Sequence, residues 1–187
     1  GYVYEYGGPV VENMTREERM TLANMSIEGG ATAGYINPDE TTYEYLRGRD
    51  AVPEGEAFDE LVTYWESIRS NPDAIYDDVV EIDASDIEPS VTWGITPGQV
   101  VGVTEPIPAP EDLPEGQRDA AGRAYDHMDV SPGETMEGYG IDVAFLGSCT
   151  NGRLPDLRAA AAVLEGHEVD PDVKALAVPG SQRVKAA

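Results

Sequence analysis

The run from Ile141 to Val178 constrains the fold of this chain more than any other stretch. Val143 to Leu146 is apolar, of strand length, and ends at Gly147-Ser148. Leu154 to Glu165 carries a helical pattern, with Pro155 in its first turn and Gly166 after it, and Val173 to Val178 is a second apolar run. A helical crossover joining two strands this close in sequence makes them parallel and right-handed. Both strands then end on one edge, so the loop with Cys149 should lie beside the loop Pro179-Gly180-Ser181-Gln182. The fold class is α/β. In open α/β sheets ligands collect at the carboxyl ends of the strands, where loop N–H groups and a helix N-terminus converge. Cys149, the only cysteine, is aimed at such an edge, although a lone cysteine is on position alone more often a small buried hydrophobe.

The remaining elements follow in order. Thr15-Arg16-Glu17-Glu18 has the form of a capping box, predicting a helix through Met20, Leu22 and Met25 to Glu28, stopped by Gly29-Gly30. Asn24 and Glu28, four apart, would share one face of that helix near its end. Taken alone, that is a solvated polar face. A turn at Ile36 to Glu40 leads to a short helix over Thr41 to Arg47. Phe58, Leu61, Val62, Trp65 and Ile68 fall at helical spacing and predict a helix from Ala57 to Ser70, its aromatics in the core. Strands are expected at Asp78 to Asp83, Val91 to Trp93 and Gln99 to Val103. Pro106, Pro108, Pro110 and Pro114, with acids among them, cannot hold regular structure and predict a domain boundary dividing 1–105 from 106–187. A helix marked by Ala121, Ala124, Tyr125 and Met128 lies beyond them, closed by Ser131-Pro132-Gly133.

Charge excludes several functions. The chain has 36 Asp+Glu against 12 Lys+Arg, a formal net charge of −24. A nucleic acid would be repelled. The acids are spread evenly and Lys174 and Lys185 are the only lysines, a pattern that suits very high salt, where repulsion is screened within about 3 Å at 1 M. No run approaches the roughly 18 apolar residues of a membrane span, and Gly1-Tyr2-Val3-Tyr4-Glu5 does not resemble a signal peptide, so a cytosolic protein without a membrane partner is expected. One cysteine forms no internal disulfide. No phosphate-binding glycine motif is present, and His127 and His167 stand isolated, as surface residues would. The sequons at Asn13 and Asn24 are chance matches in a cytosolic chain. The residues by themselves describe an acidic α/β protein with one loop-borne thiol and a polar pair.

Gly147-Ser148-Cys149-Thr150-Asn151-Gly152-Arg153, followed by Asp156-Leu157-Arg158-Ala159-Ala160-Ala161, resembles the first cluster-ligand motif of the aconitase superfamily. Arg19 to Ala31, Pro38 to Thr42, Val91 to Val100 and Val178 to Ser181 are similar, in order, to the large-subunit family of 3-isopropylmalate dehydratases. The resemblance implies a three-layer α/β/α aconitase-type fold, incomplete here, and a hydro-lyase interconverting 2-isopropylmalate and 3-isopropylmalate. It further implies a [4Fe-4S] cluster held by three cysteines, of which Cys149 would be one, with Thr150 and Asn151 hydrogen-bonding around it. Glu28 would be a carboxylate beside the open iron and Asn24 an outer amide orienting cluster or substrate. The family's C-x-x-C, its N-terminal histidine and aspartate motifs and its C-terminal arginines are not in these residues, and its catalytic serine belongs to a separate small subunit. The chain starts without Met and reads as an internal piece of a large subunit, expected to bind no cluster and to be inactive alone. Homoaconitate or methylmalate dehydration is the nearest rival within the superfamily. A cluster-sensing RNA-binding regulator, opposed by the charge, and a non-catalytic acidic interaction domain with a structural, buried Cys149 are the rivals outside it.

Overall fold

Three short strand pairs, two parallel and one antiparallel, carry the α/β character of the chain; the computed structural model describes residues 1–187. These divide into two units, Gly1–Val79 with Val143–Ala187, and Val80–Asp142.

In the first unit β1 (Val3–Tyr6) pairs in parallel with β2 (Ala33–Ile36), Val3 opposite Ala33 and Tyr6 opposite Ile36. Between them run α1 (Pro9–Asn13) and α2 (Arg16–Met25). The capping box forms as the sequence predicts: the Glu18 N–H donates to Thr15 Oγ1 at 3.3 Å and the Thr15 N–H to Glu18 Oε2 at 2.7 Å. α2 lies so close over β2 that a Cβ on Gly34 would collide with the Ser26 hydroxyl and the Ala23 backbone.

The end of α2 differs from expectation. The helix stops at Met25, not Glu28. Ser26, buried, turns its hydroxyl back to the Leu22 carbonyl at 3.2 Å and is within 2.8 Å of Tyr6 Oη. This local bonding competes with the next helical turn. The Ala31 N–H then reaches the Ser26 carbonyl at 3.0 Å through a turn with Gly30 at φ 86°. Glu28 sits in that turn, so the helix face expected to join it with Asn24 does not form.

Asp39 caps α3 (Glu40–Leu46), and α4 (Glu56–Ser67) brings buried Phe58 to it. Trp65 stacks on buried Tyr43 at 5.9 Å and meets Phe58 edge-on at 6.0 Å, as expected of a core face. The strand–helix–strand unit forms as read: β5 (Val143–Leu146) and β6 (Lys174–Ala177) are parallel, joined through α6 (Leu154–Leu164), and α7 (Gln182–Ala186) follows. One face of this pair is bare, with Val143 53%, Phe145 62% and Leu176 39% exposed.

In the second unit β3 (Ser90–Thr92) and β4 (Val100–Gly102) are antiparallel, and α5 (Glu115–Met128) packs with Trp93, Ile107 and Val130 into one core. The proline-rich stretch is part of that core, so the expected division at 105/106 falls inside a unit. Ile107 is buried and bonds backbone to backbone with Glu134 and Gly133, while Tyr125 Oη donates to the Pro108 carbonyl at 2.7 Å. Proline removes ladder donors but leaves neighbouring apolar side chains and carbonyls free to pack. Asp78 to Asp83, expected as a strand, has no ladder partner, and Val79, Val80 and Ile82 are exposed. An apolar run of strand length becomes a strand only where an edge is present to pair with.

Candidate functional site

β5 delivers the thiol. Gly147, the first residue after the strand, has φ 132°, and a Cβ there would strike the Val178 carbonyl, so this position requires glycine. Gly152 is equally confined between the Ser148 carbonyl and Gly180. The Gly180 N–H donates to the Gly152 carbonyl at 2.7 Å, which makes the two strand-end loops neighbours, as parallel strands demand. Within the loop the Asn151 N–H bonds Ser148 Oγ at 2.7 Å, and Asp156 accepts from the Arg153 N–H at 2.9 Å and from Asn151 Nδ2 at 3.1 Å. Cys149 is exposed and lines an open cavity of about 290 Å³ with Phe145, Ser148 and Pro179. The buried thiol of the interaction-domain reading is therefore not what the chain builds: the strand-end glycines hold the loop outward.

The loop is seated on α2. Thr150 Oγ1 donates to Asn24 Oδ1 at 2.8 Å, with Cys149 Sγ 3.8 Å from the same hydroxyl. Asn151 Nδ2 reaches Thr21 Oγ1 at 3.4 Å, and Arg153 Nη1 donates to Thr21 Oγ1 and the Glu17 carbonyl, both at 3.2 Å. Glu17, Thr21 and Asn24 lie four and three apart, on one helix face. Four of the residues singled out by sequence, Asn24, Cys149, Thr150 and Asn151, thus come together across more than 120 positions. Glu28 does not join them. It is exposed in the turn after α2, and the bonds from the loop stop at Asn24. Thr21 and Arg153 were not anticipated as site residues. Their signal was present in the spacing of Thr21 to Asn24 and in the position of Arg153 four residues after Cys149.

As a metal site the donor set is incomplete. No group of three His, Cys, Asp or Glu side chains is arranged to hold an ion. An iron–sulfur cluster takes thiolates, and this chain offers one. The oxygens nearby, Thr150 and Asn151, are hydrogen-bonding groups rather than soft ligands. What the arrangement can do is present a reachable thiol beside an anchored amide.

No helix is long and apolar enough to cross a membrane. Residues 1–187 match the Aconitase family (aconitate hydratase) profile. The chain is 68% identical to the "3-isopropylmalate dehydratase large subunit" of Natronomonas pharaonis and 66% identical to that of Haloferax volcanii, in both over 100% of its own length. The protein of the same name from a Synechococcus strain is 59% identical over 99% of the chain. In each case the chain spans 40% of the relative. Two of these relatives come from halophilic archaea, in keeping with the acid excess. The match covers every residue of the strand–helix–strand unit and of α2, and on that ground the chain belongs to the aconitase family.

Proposed function

We propose that this chain is part of a [4Fe-4S]-dependent hydro-lyase, a 3-isopropylmalate dehydratase that interconverts 2-isopropylmalate and 3-isopropylmalate in leucine biosynthesis. It would act in the cytoplasm together with a separate small subunit. The names of the relatives support the activity. The observation that carries the residue roles is the hydrogen bond from Thr150 to Asn24, which sets the thiol loop on the amide helix. Cys149 is the thiolate ligand this chain supplies, with Thr150 and Asn151 bonding around it. Asn24, its oxygen engaged by Thr150, keeps Nδ2 as a donor toward cluster or substrate. Glu28 supplies a carboxylate from the turn beyond. When bound, such a cluster contributes Lewis-acid polarisation of a substrate hydroxyl.

The test uses the longer polypeptide paired with its small subunit. Cys149→Ser should abolish both the broad absorbance near roughly 400 nm and the dehydration of isopropylmalate. Asn24→Ala should keep the iron and lose about 10- to 100-fold in rate, the usual cost of removing an outer-shell partner. Full iron content in Cys149→Ser contradicts the ligand role. Turnover of homoaconitate in place of isopropylmalate contradicts the substrate.

A further inference from the structure

The hydroxyl of Thr21 and the guanidinium of Arg153 have no part in the roles above, yet they make most of the contacts between the loop and α2. Thr21 Oγ1 receives Arg153 Nη1 at 3.2 Å and Asn151 Nδ2 at 3.4 Å, and itself reaches the Glu17 carbonyl at 3.2 Å. Arg153 Nη1 bridges to that same Glu17 carbonyl at 3.2 Å. Arg153 forms none of the ion pairs present, although 36 carboxylates are available in this chain. Its guanidinium is spent on a helix backbone and one hydroxyl, a use that fixes geometry rather than offsets charge. Its own N–H meanwhile anchors to Asp156, so the residue is held from both ends.

We infer that Arg153 and Thr21 are positioning residues: together they clamp the Cys149 loop onto α2 and fix where the thiol stands relative to Asn24. The purpose rests on the reading of Cys149 as a cluster ligand; the clamp itself does not. Without it, Thr150–Asn24 would be the one remaining side-chain bond from the loop to α2. A loop held by a single net bond opens far more often than one held by several.

The experiment follows amide hydrogen exchange in the 187-residue chain, with circular dichroism confirming that each variant is folded. Thr21→Val removes the hydroxyl at constant shape, Arg153→Met removes the fork, and Thr21→Ser keeps the hydroxyl. Exchange over residues 148–153 should rise about fivefold in Thr21→Val and Arg153→Met, the factor one net hydrogen bond is worth, and alkylation of Cys149 by N-ethylmaleimide should rise with it. The double variant should rise further than either single one but by less than the product of the two, because the Arg153–Thr21 bond is lost in both while Arg153–Glu17 survives in Thr21→Val and Asn151–Thr21 in Arg153→Met. Thr21→Ser should behave as the parent, and exchange within α6 should not change. Unaltered loop exchange in both single variants overturns the inference, as does acceleration spread evenly over α6 and the loop. Neither outcome touches the cluster assignment, which is read from iron content in the longer polypeptide.

Discussion

Arg19 ties three helices together with one side chain. It is 1% exposed, and its Nη1 lies 2.7 Å from both carboxylate oxygens of Asp39, while Nε and Nη2 donate to the Val11 and Glu12 carbonyls. Removing one partner of such a pair leaves the other uncompensated, so Arg19→Met should cost about 3 kcal/mol, measured by urea unfolding in molar KCl. At the thiol, Gly147→Ala should displace the Cys149 loop, because both its positive φ and the Val178 carbonyl forbid a Cβ. Altered labelling kinetics of Cys149 would show it. Of the residue-scale detail, the site loop was legible because its motif is contiguous. The Arg19–Asp39 pair was not, since a charge twenty positions away carries no local pattern.

Among elements, helix beginnings were easier to read than helix ends. Thr15 and Glu18 announce the start of α2 through bonds confined to four residues, and Thr15→Ala should lower stability by about 1 kcal/mol. The end of α2 depends on Ser26 meeting Tyr6 from a separate strand, so sequence overshot it and misplaced Glu28. β2 went unread for a related reason. Ala33-Gly34-Tyr35-Ile36 contains glycine because α2 presses on Gly34, and that demand erases the alternation by which a strand is recognised. The proline-rich stretch misled in the opposite direction, since its packing runs through Ile107 and the Pro108 carbonyl. There, burial followed by the nearby Glu111 and Asp112 carboxylates raises the Tyr125 hydroxyl above its ordinary 10.0. Between that value and the raised one, the unfolded chain releases a proton that the folded chain keeps. The contribution of Tyr125 to the stability of the second unit should therefore be constant below about pH 10 and be lost above it. Tyr125→Phe should lessen the loss, as followed by Trp fluorescence.

For the molecule as a whole, a net charge of −24 makes salt the governing variable. Self-repulsion is long-ranged in dilute buffer and nearly gone at molar ionic strength, so the midpoint of thermal unfolding should rise steadily across a KCl series toward molar concentrations. The bare face of β5 and β6 points the same way, because a two-stranded parallel pair with an uncovered apolar side is weakly held. Holding that pair to α2 is the loop that follows β5. Through Thr150, Cys149 stands beside Asn24, and the single cysteine allows that placement to be tested without other changes to the chain. A nitroxide attached to Cys149 should broaden the side-chain amide of Asn24 and the backbone amides of Thr21 to Met25, with the signals restored on reduction by ascorbate. Unbroadened signals from α2 would show that the thiol loop is not seated there and would contradict the assignment.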